Sequence, residues 1–186
     1  MTLIFNELFG NQIPNGTLGD ITRISSGKRP KTRVDEQSKN FDIPILGAAS
    51  ITGYTSTSLY SEKLLITGRV GTHGVIQRYR RACWPSDNTL VLQSNRHEYV
   101  YQILKQVDFQ SMNRGSTQPL ITQTDLSKIP IYIPTTNEME SFENIAVAFM
   151  TRVDENIIEN EYLVSLRDTI LPHLLSGERF SNHTAK

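Results

Sequence analysis

From Thr135 to Leu171 the chain contains neither glycine nor proline, and no glycine recurs before Gly177. Nothing in that stretch interrupts a helix, so it constrains the fold more than any other segment. Thr135, Thr136 or Asn137 can cap its start, and Glu138 and Glu140 suit the positive end of a helix dipole. Ala146, Met150, Val153, Ile157, Asn160, Val164, Arg167, Leu171 and Leu174 alternate spacings of four and three, which makes a heptad seam. The spacing predicts one helix from about 138 to 171, roughly 50 Å long at 1.5 Å per residue. Pro172 is expected to kink or end it, and Gly177 to cap whatever follows. One small core cannot cover such a helix, so its seam wants a partner, in this chain or in another. An ordinary long helix packed on its own domain is the alternative. Asn160 and Arg167 cost stability on a paired seam but can set its register and orientation.

Ahead of this helix, residues 1–134 read as strands and turns. LGDITRISSGKRP carries a short β-like stretch and a Ser-Ser-Gly turn, and FDIPILGAASITGY two short apolar runs broken by Pro44, Gly47 and Gly53. KLLITGRVGTHGVIQRY predicts a hairpin, with Leu64, Leu65 and Ile66 entering a Gly-rich connection and Val75 and Ile76 resuming. NTLVLQS is a further strand. HEYVYQILKQVDF has helical spacing, with Val100, Ile103, Leu104 and Val107 on one face. KIPIYIPT predicts an edge strand, because Pro130 and Pro134 cannot donate to a ladder.

Several function classes drop out. With 38% hydrophobic residues and apolar runs of only a few residues, the chain can build a core but no membrane-spanning helix. The start, MTLIFNELFGNQIPNG, lacks the basic and continuous apolar regions of a secretory signal. Cys83 is the one cysteine, which excludes a disulfide scaffold and suits a cytoplasmic setting. His73, His97, His173 and His183 have no metal-ligand spacing, so each is expected at the surface or in a loop. Gly68, Gly71 and Gly74 match neither a Rossmann nor a P-loop fingerprint. They read as a turn needing positive φ, compatible with backbone approach to a phosphate. No G-x-S-x-G is present, and no Asp or Glu is followed two residues later by Lys. Asp35, Glu36 and Asp42 read as a solvated loop.

A polyanion fits the charge pattern. The net charge is zero, yet residues 17–115 hold 14 Lys and Arg against 8 Asp and Glu, and residues 116–186 hold 5 against 10. Arg23, Lys28, Arg29, Lys31 and Arg33 fall in an acid-free stretch, Arg78, Arg80 and Arg81 flank Tyr79, and residues 110–118 offer Asn113, Arg114, Ser116, Thr117 and Gln118. Lys and Arg neutralise phosphates, and Arg, Asn and Gln read base edges. Each stretch alone is weak. Together they make nucleic acid the favoured ligand, with candidate contacts at Lys28, Arg29, Lys31, Arg33, Arg69, Arg78, Arg80, Arg81, Asn113 and Arg114.

The ordered set of motifs resembles the specificity subunit of type I restriction–modification systems. LGDITRISSGKRP, IPILGAASITGY, LLITGRVGTHGVI, ACWPSDNTLVL, STQPLITQTDLSKIPIYIPTTNEMESF and SLRDTILPHLLSG each match a family stretch, in order, over about residues 17–180. Met139 departs from the family pattern, which has Gln there. The resemblance implies an α/β (α+β) target-recognition domain, residues 1–134, a long helix pairing as an antiparallel coiled coil, residues 135–177, and a tail, 178–186. Such a subunit is not a catalyst. It reads a bipartite DNA target and holds methyltransferase subunits and a restriction/translocase subunit. S-adenosylmethionine, Mg2+ and ATP belong to those partners, and the chain itself needs no cofactor. The family has two recognition domains and two conserved helices where this chain has one of each. It is therefore expected to act as a half subunit that forms a homodimer through Met150, Val153, Ile157, Asn160, Val164, Arg167 and Leu171. A two-fold dimer reads an inverted repeat. A coiled-coil adaptor, or a DNA methyltransferase or nuclease fragment with its own activity, is the alternative.

Overall fold

The computed structural model describes residues 1–70, 74–112 and 120–175. In chain order the elements are α1 (Thr2–Phe9), β1 (Gly16–Thr17), α2 (Leu18–Ile21), β2 (Arg23–Ser26), β3 (Ile43–Leu46), β4 (Ile51–Thr55), β5 (Leu64–Gly68), β6 (Gln77–Tyr79), β7 (Trp84–Pro85), β8 (Thr89–Gln93), α3 (His97–Leu104), α4 (Gln123–Ser127), β9 (Pro130–Ile131) and α5 (Thr136–Leu175). An antiparallel sheet runs β2-β8-β5-β6, a second runs β4-β3-β7 with β3 and β7 parallel, and β1 pairs with β9. The fold is α+β, with the strand-rich part followed by the long helix, as the sequence predicts.

Strand β5 is buried along its whole length because both of its faces are covered. Leu65, with Leu90 and Leu92 of β8, packs on Val100 and Leu104 of α3. Leu64 and Ile66, with Val91, face the other way into a cluster with Leu46 and Cys83. The period-2 alternation of a strand thus supplies two cores from one LLITG run.

A third cluster is aromatic. Phe5 and Phe9 of α1, Tyr99 of α3 and Phe142 of α5 have ring centroids 5.3–5.9 Å apart, mostly edge to face, with Met139 and Ala146 beside them. The first turns of α5 therefore belong to the compact unit Met1–Ala146, and Val147–Lys186 forms a second unit. Helix α1 has no counterpart among the sequence expectations. Five of its eight residues are apolar, of which Phe5 and Phe9 enter the aromatic cluster while Leu3 and Leu8 stay exposed.

Three Thr-x-x-acid boxes start helices. Thr17 with Asp20 opens α2, Thr122 with Asp125 opens α4, and Thr135 with Glu138 opens α5. The first makes Leu18–Ile21 a helical turn, and the β-like stretch expected in LGDITRISSGKRP is β2, which takes in Ser25 and Ser26 where a turn is expected. Hairpin β5–β6 forms, but its second strand begins at Gln77, after Val75 and Ile76. Gly74 has φ +82°, the left-handed backbone that the turn reading requires, whereas Gly71 lies outside the described residues. Helix α3 ends at Leu104, so Val107 reaches the same core from the following loop. The Pro-bounded edge strand is only Pro130–Ile131, on a two-stranded sheet. Pro172 does not end α5, which continues to Leu175, the last described residue. Gly177 and the tail lie outside the described residues.

Candidate nucleic-acid interface

Gly27 anchors the first basic stretch. Its N–H donates to Thr89 O at 3.1 Å, the Lys28 N–H donates to Pro85 O at 3.0 Å, and Trp84 Nε1 donates to Lys28 O at 2.7 Å. A Cβ on Gly27 would stand 2.1 Å from Ser86 O and 2.5 Å from Pro85 O, so no other residue fits without moving main chain. Gly27→Ala should destabilise the fold by about 1–3 kcal/mol, the usual cost of overpacking. Thermal or urea denaturation checks it, and a variant as stable as the parent contradicts this packing.

Lys28, Arg29, Lys31 and Arg33, which follow, are all exposed. Arg29, Lys31 and Arg33 line a cleft of about 530 Å³ together with Gly47, Asp87 and Asn88. Arg33 lies across Gly53, whose ideal Cβ would meet Arg33 Nε at 3.0 Å, and it pairs with the exposed Asp35 at 3.2 Å. Arg69 is half-buried, and its backbone donates to Asn88 O at 2.8 Å and accepts from Ile121 N–H at 3.1 Å.

Arg78 and Arg80 are both engaged with an acidic side chain. Arg78 Nη2 lies 2.7 Å from Glu98 Oε1 with only 7% of its side chain exposed, and its guanidinium also stacks over Tyr101 at 5.2 Å. Arg80 Nη2 reaches the same oxygen at 3.2 Å, 23% exposed. His97 Nδ1 is 3.2 Å away too, and His97 is buried at the start of α3, not at the surface or in a loop as expected. Burial by itself would raise the Glu98 carboxyl. Hydrogen bonds from His97 and Arg78 and their charges outweigh it and bring the group from its ordinary 4.5 down to about 2. Glu143 of α5 caps α3 by accepting the Tyr99 N–H at 2.8 Å, and burial holds its carboxyl above the usual range.

Register separates the basic groups. Gly68 of β5 pairs with Thr89, whereas Leu64, at the other end, pairs with Tyr79. Arg69 and Asn88 therefore sit at one end of the strand, and Arg80 and the exposed Arg81 at the other. Asn113 and Arg114 lie outside the described residues. Sequence reasoning missed Glu98 and Glu143, which carry no motif. It also missed Asp87 and Asn88, although Pro85-Ser86-Asp87-Asn88 is turn-forming in composition.

On α5, Met150 is buried, while Val153, Ile157, Asn160, Val164, Arg167 and Leu171 are exposed. Ile158 and Tyr162 are exposed as well, on the far side of the helix from Val153 and Val164. Among the described residues no group of His, Cys, Asp and Glu is arranged to hold a metal ion, and no helix is long and apolar enough to cross a membrane.

Comparison with known proteins places this geometry. The chain is 24% identical to the Type I restriction enzyme HindI specificity subunit of Haemophilus influenzae, over 89% of this chain and 42% of that protein. Its fold matches the type I restriction–modification S subunit from M. genitalium with a TM-score of 0.68 at 20% identity, covering 90% of this chain and 46% of that one. It matches the HsdS subunit from Thermoanaerobacter tengcongensis with a TM-score of 0.56 at 17% identity, covering 92% and 49%. The chain thus spans about half the length of these relatives. The model of the type I restriction modification DNA specificity domain matches residues 14–166, most of the chain, and the protein belongs to that family.

Proposed function

We propose that the chain is a non-catalytic DNA-recognition subunit of a type I restriction–modification system. It directs methyltransferase and restriction/translocase subunits to a bipartite target in cytoplasmic DNA, as a homodimer. One observation carries the reading: in a chain of this family, exposed Arg29, Lys31 and Arg33 converge on one cleft, braced by Gly27 and the residues it packs against. S-adenosylmethionine, Mg2+ and ATP belong to the partner subunits in this scheme.

Helix α5 supports the assembly part. An exposed helix with apolar residues on opposite sides needs more than one neighbour. Val153, Ile157, Val164 and Leu171 suit a second copy of α5. Ile158 and Tyr162 suit a methyltransferase subunit. From Val147 to Leu175 the helix is about 44 Å long, which spans about 13 base pairs at 3.4 Å each. The spacer between half-sites is of that order or less.

Methylation-site mapping with the cognate methyltransferase subunits tests the reading. The expected target is an inverted repeat around a non-specific spacer, methylated only when the chain is present. Methylation independent of the chain, or metal-dependent cutting of DNA by the chain alone, overturns it in favour of an adaptor or an enzyme fragment.

A further inference from the structure

The cleft that carries Arg29, Lys31 and Arg33 also holds a carboxylate. Asp87 Oδ2 lies 3.8 Å from Arg29 Nε, and both side chains face solvent, 50% and 87% exposed. Asp87 and Asn88 form the tip of a turn that is held from three directions. Thr89 N–H and Oγ1 both donate to Ser86 O, at 3.0 and 2.7 Å, the Ser86 N–H donates to Leu46 O at 2.9 Å, and the Arg69 N–H donates to Asn88 O at 2.8 Å. The backbone that carries the short Asp87 side chain is therefore held in place, whereas Arg29 is a long and exposed side chain.

An exposed ion pair of this length is weak and gives way to a better anion. A DNA phosphate is such an anion, and Lys31 and Arg33 share the same cleft. A phosphate entering it must still displace Asp87 from Arg29 and approach a like charge. Phosphate contacts carry no sequence information, so that cost falls on every DNA sequence alike.

We propose that this cleft seats a backbone phosphate of DNA, and that Asp87 tempers the seat by occupying Arg29 in the free protein. General DNA affinity is thereby held down, and base contacts made elsewhere decide where the protein stays. The inference rests on the DNA-reading function proposed above.

Titration of the full chain on a random duplex and on the methylation-mapped target, at two salt concentrations, tests it. Asp87→Asn should tighten binding about two- to fivefold on both duplexes. It should also steepen the salt dependence by up to about 0.9 in log–log slope, as Arg29 becomes a full phosphate contact. Arg29→Ala should weaken both and flatten the slope, this loss and the Asp87→Asn gain together amounting to about 0.9, and adding Asp87→Asn to it should give a smaller gain than in the parent. Unchanged or weaker binding by Asp87→Asn, while the parent binds DNA, overturns this inference and leaves the DNA-reading function standing. A parent chain that binds no duplex at low salt and directs no methylation removes both. Calorimetric titration with inorganic phosphate alone should give no saturable binding. Tight binding there makes the cleft a site for free phosphate and overturns the assignment to DNA.

Discussion

Replacing Glu98 by alanine destabilises the compact unit by about 3–5 kcal/mol, measured by urea denaturation. The Glu98 side chain is fully buried, and one of its oxygens receives Arg78, with 7% of its side chain exposed, and Arg80. Removing the carboxylate leaves the Arg78 guanidinium buried without its counter-charge, a larger penalty than the pair's own net value. Glu98→Gln keeps an acceptor oxygen and costs less. The same group dictates a pH dependence. Its folded value of about 2 lies below the ordinary 4.5, so its contribution is fully present above about pH 4.5 and is lost as pH falls towards 2. Glu143, raised by burial, acts in the opposite sense, because protonating it relieves a buried charge. Glu98→Gln should flatten the acid limb of the stability curve below pH 4.5. An unaltered acid limb, or Glu98→Ala within 1 kcal/mol of the parent, contradicts the buried network.

If the chain pairs through α5 as proposed, Ile157→Asp should convert it from dimer to monomer at tens of micromolar, as read by light scattering. Ile157 is half exposed at the centre of the seam, and a two-fold axis would bury the new carboxylate twice. Each unpaired buried charge costs several kcal/mol, enough to lower the association constant by several orders of magnitude. Ile158→Asp, one residue on and on another face, leaves the dimer intact and weakens capture of the methyltransferase subunits. Equal effects on dimerisation from both substitutions, or a monomeric parent, would sink the proposed pairing.

The long helix was legible because its signals are local. A run without Gly or Pro, a Thr135–Glu138 box and a 3.5-residue apolar period act within a few turns of chain. Strands β5 and β8 were legible for the same reason, as was the turn at Gly74. Gly27 was expected in a turn, but it follows strand β2 directly. The contact that makes it indispensable, with Pro85 and Ser86, comes from residues nearly sixty positions away. Helix α1 escaped because its order comes from Tyr99 and Phe142, not from its own eight residues.

The candidate interface divides along the same line. Sequence alone determined that Lys28 to Arg33 form a basic, acid-free stretch, and that α5 carries more apolar surface than one small domain covers. It treated Arg78, Arg80 and Arg81 as one basic cluster, because a count of charges cannot see their partners. Only the tertiary structure put Glu98 of α3 against β6, which buries the Arg78 side chain and leaves Arg80 only partly exposed. Only the register of β5 separated Arg69 and Asn88 from Arg81. Charge type is written in the sequence, but whether a charge meets water, DNA or a buried counter-ion depends on contacts between residues distant along the chain, and those exist only once the chain has folded.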